Sequence, residues 1–287
     1  MSQTMPGTPT IFRDIKSLRR AVAKWRASGE KIALVPTMGA LHAGHVSLVQ
    51  AARNKAERTV VSIFVNPTQF APNEDFAAYP RTLEADLARL AEAGADGCFA
   101  PPAREIYPEG FATQVVPGGA ALAGLEDRFR PDHFAGVALV VAKLLNQAQA
   151  DCAFFGEKDF QQLAVIRQIV ADLDIPTSIF GVPTLRESDG LALSSRNIYL
   201  SAGERAQAPL LARILNETAA AIRAGAAPAQ AAAQAALSLV SSGFTVDYLE
   251  ARHAETLAPV ASHEERPMRL LVAARLGKTR LIDNIAV

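Results

Sequence analysis

Length, composition and charge limit the kinds of protein that this chain can be. It has 287 residues, of which 29 are Lys or Arg and 29 are Asp or Glu, and the net charge of zero argues against a general nucleic-acid or membrane surface. Two cysteines are too few for a disulfide framework, and no apolar run reaches the roughly 18 residues of a membrane span. Met1–Thr10 lacks the apolar core of a signal peptide, so we expect a cytoplasmic protein. The length of the chain predicts two domains.

Short apolar runs alternate with helical periods through the first two thirds of the chain. The predicted strands are Lys31–Pro36, Thr59–Val65, Gly97–Ala100, Asp151–Phe155 and Pro176–Thr184. The predicted helices are Asp14–Ala27, His45–Ala56, Leu83–Glu92, Gly136–Gln149 and Phe160–Leu173. This alternation predicts an α/β fold with a parallel sheet and helices on both faces. In such sheets, ligands bind beyond the C-terminal ends of the strands.

The pattern changes after about Arg186. A polar loop leads into Ala-rich helices from Glu204 to about Leu239, and three strand-like runs follow: Thr245–Ala251, Met268–Arg275 and Thr279–Ile282. We therefore predict an N-terminal α/β domain, 1–186, and a smaller C-terminal α+β domain, 187–287.

The most informative segment is the turn Pro36–His45, between the first predicted strand and its helix. It combines small residues with two histidines three positions apart, directly before a helix N-terminus. Glycine lets a phosphate approach the backbone, and a helix start offers unpaired N–H groups and a positive dipole end. The imidazoles add donors for developing charge, so the turn predicts a nucleotide triphosphate site. A His pair at this spacing can also cap the helix, and zinc is disfavoured because Cys98 and Cys152 lie in distant apolar runs.

Amide side chains follow the second predicted strand. Asn66 and Gln69 can each donate and accept hydrogen bonds, which suits a hydroxylated carboxylate substrate. Asn66 precedes Pro67 and can equally form a turn, whereas Gln69 has no evident turn role. Because Gln69 follows a different strand, we expect it to lie away from the His-bearing turn.

A second candidate phosphate-binding segment, Gly156–Asp159, follows the fourth predicted strand. Gly156 permits close approach, and Lys158 can contact phosphates as a compact charge. Two alternatives remain open at this point. Lys158 could be a solvated surface lysine, and Asp159 could be a helix cap.

Two further loops carry groups that suit an anionic ligand. Ser194–Arg196 offers two hydroxyls and a guanidinium, although it could also be a solvated loop. In the basic and aromatic loop 128–134, Arg130 could meet an anionic substrate. His133 is expected to be a structural residue at a helix start.

These segments together resemble the pantothenate synthetase (pantoate–β-alanine ligase) family over nearly the whole chain. The resemblance rests on the blocks Met38–His45, Asn66–Phe70, Tyr79–Thr82, Gly156–Gln162, Ser194–Asn197, Val246–Glu250 and Thr279–Asn284. The combination is specific, whereas any one block is not. The chain departs from the family at Leu193, Asp132 and Leu139, where Met, Gly and Thr are usual.

The resemblance implies a fold of the class I nucleotidylyltransferase type, with a Rossmann-like parallel sheet. It also implies the ATP-dependent ligation of pantoate and β-alanine. In this reaction the pantoate carboxylate attacks the α-phosphorus and releases pyrophosphate, and the β-alanine amine then attacks the pantoyl adenylate and releases AMP. Mg²⁺ is expected to bridge phosphate oxygens, although the sequence shows no acidic cage for it. A homodimer is implied by the family alone.

Carried over by motif, the resemblance assigns residues to three roles. Catalysis would fall to His45, His42, Lys158 and Arg196. ATP binding would fall to Met38, Gly39, Ala40, Leu41, His42, Ala43, Gly44, His45, Gly156, Glu157, Lys158, Asp159, Leu185, Leu193, Ser194, Ser195 and Arg196. Substrate binding would fall to Gln69, Gln162, Asn66, Tyr79 and Arg130.

Other functions could use the same phosphate turn. An enzyme that transfers AMP to a phosphate ester should prefer basic side chains over Gln69 and Gln162 for its acceptor. An aminoacyl-tRNA synthetase shares the ancestral motif, but zero net charge argues against it. A nucleotide sensor without enzymatic activity needs neither Lys158 nor a carboxylate site. Pyrophosphate release that requires both ATP and pantoate separates these functions.

Overall fold

A computed structural model describes residues 7–70, 76–77 and 79–287 of the chain. The chain divides into two compact units. The first unit contains the residues up to Gly118 together with Asp132–Gly156 and Val165–Val182. The second unit contains Gly119–Pro131, Glu157–Ala164 and Pro183–Val287. A domain boundary between residues 186 and 187 stays a prediction.

The first unit is built on a parallel sheet, as predicted, and this sheet has six strands rather than the five predicted. Its strands are β1 (Thr10–Phe12), β2 (Ile32–Thr37), β3 (Arg58–Ile63), β4 (Gly97–Phe99), β5 (Cys152–Gly156) and β6 (Ser178–Val182). They lie in the order β1-β4-β3-β2-β5-β6. Strand β1 was not predicted, because three residues are too few to show a period.

Helices occur in both units. Along the described residues they are α1 (Ile15–Ala27), α2 (Ala43–Arg53), α3 (Leu83–Ala93), α4 (Ala103–Ile106), α5 (Glu126–Phe129), α6 (His133–Ala148), α7 (Phe160–Asp172), α8 (Ala202–Gln207), α9 (Leu210–Arg223) and α10 (Pro228–Ser241). None of these helices is both long and apolar enough to span a membrane.

Local sequence explains where several of these helices begin and end. The Asp14 side chain caps α1 by accepting from the Ser17 N–H at 2.7 Å. At the other end of a helix, Gly94 terminates α3 with a left-handed φ of 76°. Gly225 and Pro228 separate the Ala-rich segment into α9 and α10.

The core of the first unit lies on both faces of its sheet. Ala33 and Val35 pack into one apolar cluster with residues of α2 and α3. Ile32 and Leu34, which alternate with them along β2, are also completely buried. Burial on both faces is typical of a parallel sheet between helices, and it leaves the strand ends to carry polar groups.

The second unit contains an antiparallel sheet, as predicted for an α+β region. Its strands are β7 (Thr245–His253), β8 (Met268–Leu276) and β9 (Thr279–Ala286), in that spatial order. One apolar cluster joins this sheet to α9 and α10, with Leu215, Leu239 and Leu270 among its buried residues. Strand β9 is longer than the predicted Thr279–Ile282, so Asp283 and Asn284 lie within the sheet.

Candidate functional site

The turn that follows β2 has an unusual backbone. Gly39 and Ala40 have φ angles of 84° and 50°, both in the left-handed region. A Cβ at Gly39 would lie 3.1 Å from both Asp86 Oδ2 and Ile63 Cγ2. Glycine is therefore needed here both for its conformation and for close packing.

A buried carboxylate holds this turn in place. Asp86 on α3 is completely buried, and its two oxygens accept the N–H groups of Ala40 at 3.0 Å and Leu41 at 2.8 Å. Arg89, one helical turn further along α3, donates to the Leu41 carbonyl. The sequence analysis did not select Asp86. A signal was present, since Asp86 shares a helix face with Leu83 and Leu90, and an acid on an apolar face needs partners.

The two histidines cap α2 reciprocally. His42 Nδ1 accepts from the Gly44 N–H at 3.1 Å, and His45 Nδ1 accepts from the His42 N–H at 3.3 Å. Their ring centroids are 4.1 Å apart. A nitrogen that accepts a hydrogen bond carries no proton, so each neutral ring holds its proton on Nε2. The cap therefore places the N–H donor of each ring on Nε2, the nitrogen that does not take part in the cap.

Asn66 organises the short 3₁₀ turn Pro67–Gln69 that follows β3. Only 1% of its surface is exposed. Its Nδ2 donates to Gln69 Oε1 at 3.1 Å and to the Gly136 carbonyl at 3.2 Å, while its Oδ1 accepts from Tyr107 Oη at 2.8 Å. The turn-forming alternative for Asn66 is therefore realised. At the same time, Asn66 orients the amide of Gln69.

Gln69 lies closer to the His-bearing turn than expected. Its Nε2 lies 3.1 Å from the Sδ atom of Met38, which belongs to that turn. The expectation that Gln69 would lie away from the turn is therefore wrong. The physical reason is that β2 and β3 are neighbours in the sheet, with Thr37 paired to Ile63, so their C-terminal ends meet.

Helix α6 supports the same turn from its first residues. His133 begins α6, as predicted, and its Nδ1 is 3.1 Å from the Gln69 carbonyl. A Cβ at Gly136 would lie 2.2 Å from the Thr68 carbonyl oxygen and 2.8 Å from the Gln69 nitrogen. Only glycine allows α6 to approach the turn this closely.

Tyr79 belongs to an aromatic cluster in the first unit. Tyr79 is 7% exposed, and its ring lies edge-on to the Phe70 ring, with the two ring centroids 5.9 Å apart.

Gly156, at the end of β5, borders open space. A Cβ placed at Gly156 meets no atom of the described residues within 4 Å, so the backbone there borders open space.

In the second unit, β8 and β9 hold the segment Glu157–Asp159. Asn284 Nδ2 donates to the carbonyls of Glu157 at 2.8 Å and Lys158 at 2.9 Å. Arg269 donates to the Glu157 carboxylate at 2.8 Å. The Lys158 side chain is 19% exposed, and its Nζ lies 3.8 Å from Asp159 Oδ2. Lys158 is therefore not a fully solvated surface lysine.

A buried charge network surrounds the segment that carries Arg130. Glu126 accepts from Arg280 at 2.8 and 2.9 Å and from Tyr248 Oη at 2.7 Å, and Arg130 Nη1 lies 4.0 Å away. Burial opposes the charged form of Glu126, but the hydrogen bonds and charge of Arg280 outweigh it and lower the carboxyl pKa. Asp247 also accepts from Arg280, at 2.7 Å.

Two neighbouring glutamines of α7 have different environments. Gln161 is 2% exposed and ties the Arg130 segment to the helix, since it accepts from the Glu126 N–H at 2.9 Å and donates to the Ala120 carbonyl at 2.9 Å. Gln162, the predicted substrate residue, is half-buried. Gln162 was predicted from the sequence, whereas the anchoring role of Gln161 was not.

The remaining ATP candidates in the second unit are brought together by a loop. The Leu193 N–H donates to the Leu185 carbonyl at 3.0 Å. Ser194 Oγ accepts from the Arg196 N–H at 3.2 Å and caps the 3₁₀ turn Ser195–Tyr199. Arg186 closes the loop through a bidentate pair with Asp283, at 2.6 and 2.9 Å. This segment is therefore an ordered loop with defined partners.

The described residues contain no group of three or more His, Cys, Asp or Glu side chains that could hold a metal ion. The polar groups of each unit instead suit an anionic ligand. They are helix-start N–H groups and imidazole donors in the first unit, and Lys158 and Arg196 in the second.

Comparison with known proteins decides among the possible functions. The family model for pantoate–β-alanine ligase matches residues 10–286. The chain belongs to the pantoate–β-alanine ligase family. It is 58% identical to pantothenate synthetase 2 of Bradyrhizobium diazoefficiens and 56% identical to pantothenate synthetase of Rhodopseudomonas palustris, in each case over 99% of this chain and 100% of the relative.

Solved structures of similar proteins support the same family assignment. Pantothenate synthetase from Thermus thermophilus is 46% identical, with a TM-score of 0.90, 96% of this chain covered and 98% of that one. Pantoate–β-alanine ligase from Francisella tularensis, complexed with β,γ-ATP and β-alanine, is 34% identical, with a TM-score of 0.79 and 97% of each chain covered. The predicted family, nucleotidylyltransferase-type fold and ATP-dependent ligation of pantoate and β-alanine are thereby confirmed.

Proposed function

We propose that His42, His45, Lys158 and Arg196 stabilise the charge that develops during adenylate formation. The pantoate carboxylate oxygen attacks the α-phosphorus of ATP, the bond to the β-phosphate oxygen breaks, and its electrons leave with pyrophosphate. Donors already fixed in place act mainly on the transition state. The observation that carries this proposal is the reciprocal cap of His42 and His45, which fixes each neutral ring with its proton on Nε2.

Backbone groups of three segments are also proposed to contribute to ATP binding. Met38–His45 contributes the start of α2 with its unpaired N–H groups, and Gly156–Asp159 contributes the open backbone at Gly156. Leu185 and Leu193–Arg196 contribute the loop that the Leu193–Leu185 hydrogen bond closes.

For pantoate, we propose binding by Gln69 and Gln162, with Arg130, Asn66 and Tyr79 in supporting roles. Neutral amides can hold a carboxylate without suppressing its nucleophilicity as a tight Arg clamp would. Asn66 and Tyr79 are buried, so they support the pocket by orienting Gln69 and by packing. In the second step the β-alanine amine attacks the acyl carbon, and AMP leaves with the electrons of the broken C–O bond. This step mainly needs orientation of the two reactants.

For Mg²⁺, we propose entry as the ATP complex. Mg²⁺ prefers phosphate oxygens with few protein carboxylates, and the described residues form no cluster of three acidic, His or Cys ligands. The ion would reduce repulsion between phosphates, while the protein side chains act as described above. EDTA should therefore abolish turnover without lowering the melting temperature of the protein alone, and excess Mg²⁺ should restore turnover. A fall in the melting temperature would indicate a structural metal site instead.

A homodimer and a cytoplasmic location are proposed on the family resemblance alone. Sedimentation equilibrium tests the first, and a mass of one chain, 30.5 kDa, at micromolar concentration would contradict it. Fractionation of the source cell tests the second.

Isotope transfer tests the reaction path directly. Pantoate labelled with ¹⁸O in its carboxylate should pass one label to AMP, because the attacking oxygen remains on phosphorus when the acyl carbon is later released. Pyrophosphate should form only when ATP and pantoate are both present. Label in orthophosphate together with ADP would contradict the adenylate route and indicate an acyl phosphate.

A further inference from the structure

The last strand, β9, contacts all three segments of the second unit that carry candidate residues. Arg280 pairs with Glu126 in the Arg130 segment. Asp283 pairs with Arg186 in the loop that leads to Leu193. Asn284 contacts the backbone of Glu157 and Lys158. These residues fall within the block Thr279–Asn284, to which the sequence analysis gave no function.

Asn284 makes the most specific of these contacts. It is 4% exposed, and its amide nitrogen donates to two consecutive carbonyls, those of Glu157 at 2.8 Å and Lys158 at 2.9 Å. Its Oδ1 accepts from Arg269 at 3.1 Å, which fixes the direction of the amide. A primary amide has two N–H donors. Both are used on adjacent peptide groups, so the path of the chain at Lys158 is fixed.

The carboxylate of Glu157, next to Lys158 in the chain, forms an ion pair with Arg269. Arg269 donates to the Glu157 carboxylate at 2.8 and 3.2 Å, and its guanidinium lies 4.1 Å from the centroid of the Phe160 ring. The Arg269 side chain is 12% exposed. Arg269 thus pairs with the carboxylate of the residue that precedes Lys158.

We propose that Asn284 is a positioning residue for Lys158. It fixes the backbone from which the lysine projects, while Arg269 fixes Asn284 and Glu157. The inference rests on the proposed role of Lys158 in adenylate formation. A misplacement of about 1 Å in a charge-stabilising group can reduce the rate by roughly 10²-fold, so loss of this anchor should affect chemistry more than binding.

The test is a double-mutant cycle between Asn284→Asp and Lys158→Ala. Asp has the same shape, but it presents an oxygen to two carbonyls and loses both donors. In the otherwise unchanged protein, we expect Asn284→Asp to reduce single-turnover adenylate formation roughly 10- to 100-fold, with the KM for ATP little changed. In the Lys158→Ala background, the same change should cost less than about twofold, because the group that it positions is gone.

Controls separate positioning from folding. Asn284→Ala removes the donors without adding charge, so it can replace Asn284→Asp in the double-mutant cycle if Asn284→Asp does not fold. Asn216→Asp is the matched control, since Asn216 in α9 also donates its amide to a backbone carbonyl, that of Ala212 at 2.7 Å. It should leave the adenylation rate unchanged. Melting curves are recorded for every variant.

Two outcomes contradict different statements. If both Asn284 variants reduce the rate by the same factor with and without Lys158, or lower only the melting temperature, Asn284 does not position Lys158. If the unsubstituted protein releases no pyrophosphate from ATP and pantoate, the proposed adenylation fails instead. The second outcome is measured on the unsubstituted protein, so it is distinguished from the first before any variant is made.

Discussion

In the first unit, candidate residues are held mainly by hydrogen bonds to backbone groups, whereas in the second unit ion pairs of β9 residues hold two of the candidate segments in addition to such hydrogen bonds. His42 and His45 cap each other's backbone, and Asp86 accepts two backbone N–H groups. By contrast, Glu126 is paired with Arg280, 154 positions away along the chain.

The two arrangements should respond differently to change. A backbone-directed contact fails when a donor, an acceptor or a close approach is altered. An ion pair depends on the ionisation of its carboxylate, so its contribution varies with pH. Substitutions at backbone-directed contacts, including Asn284 in the second unit, should therefore act through geometry, whereas substitutions at the ion pairs of the second unit should also act through charge.

The largest effect is expected at the histidines. Loss of a helix cap alone costs about 1 kcal/mol of stability. Loss of a donor to phosphate charge should lower adenylate formation by roughly 10²–10³, or about 3–4 kcal/mol of barrier. His45→Ala and His42→Ala should therefore fold, bind ATP measurably and form the adenylate slowly in single-turnover kinetics.

A cap from the second unit is the matched control for this experiment. Ser201 caps α8 by accepting from the Glu204 N–H at 3.3 Å, and Ser201→Ala should lower the melting temperature slightly without changing the rate. If His45→Ala is destabilised but forms adenylate at a near-normal rate, His45 is only a cap.

The next effect concerns the carboxylate behind the turn. Asp86→Asn keeps the shape but leaves the N–H of Ala40 or Leu41 without an acceptor. The turn should shift, so we expect kcat for adenylation to fall roughly 10- to 100-fold. Asp96→Asn is the matched control, because Asp96 Oδ2 also accepts a backbone N–H, that of Thr59 at 2.8 Å. Equal rate losses in the two variants would show that Asp86 has no special relation to the histidines.

A smaller effect is expected where α6 meets the Gln69 turn. Gly136→Ala would place a Cβ 2.2 Å from the Thr68 carbonyl oxygen, so the helix or the turn must move. Overpacking of this kind costs about 1–3 kcal/mol of stability, and displacement of Gln69 should raise the KM for pantoate. Gly203→Ala is the control, since no described atom lies within 4 Å of a Cβ there. An unchanged KM for pantoate in Gly136→Ala would show that displacement of the Gln69 turn does not affect pantoate binding.

The same contrast explains what the sequence could predict. The parallel sheet and the residues at its strand ends, such as His42 and Asn66, follow from hydrophobic period and from the rule that strand ends meet. Gly136 could not be selected, because a glycine in an apolar helix does not reveal which backbone approaches it. Glu126, which pairs with Arg280, and Glu157, whose carbonyl accepts from Asn284, each lie more than 120 positions away from these partners, and no local pattern identifies them. Asp86 was the exception, since its position on an apolar helix face was visible in the sequence.

The smallest effect concerns the pH dependence of the second unit. Burial alone would raise the pKa of Glu126, but Arg280, Tyr248 and Arg130 lower it below its ordinary value of 4.5. Below pH 4.5 the unfolded chain therefore binds this proton more readily than the folded protein. The stabilisation is complete above that pH and is lost as the pH falls through the folded-state pKa.

Removing the charge should remove this pH dependence. At neutral pH, Glu126→Gln should be less stable than the unsubstituted protein by roughly 1.5 kcal/mol, and the difference should shrink as the pH falls below the ordinary Glu value. Urea unfolding followed by circular dichroism from about pH 7 to pH 3.5 measures it. Glu217→Gln, at a side chain 64% exposed on α9, should change stability by less than about 0.5 kcal/mol at neutral pH. If the Glu126 difference is the same at both ends of the range, this carboxylate does not contribute through its charge, and the proposed contrast between ion pairs and backbone-directed contacts fails at this position.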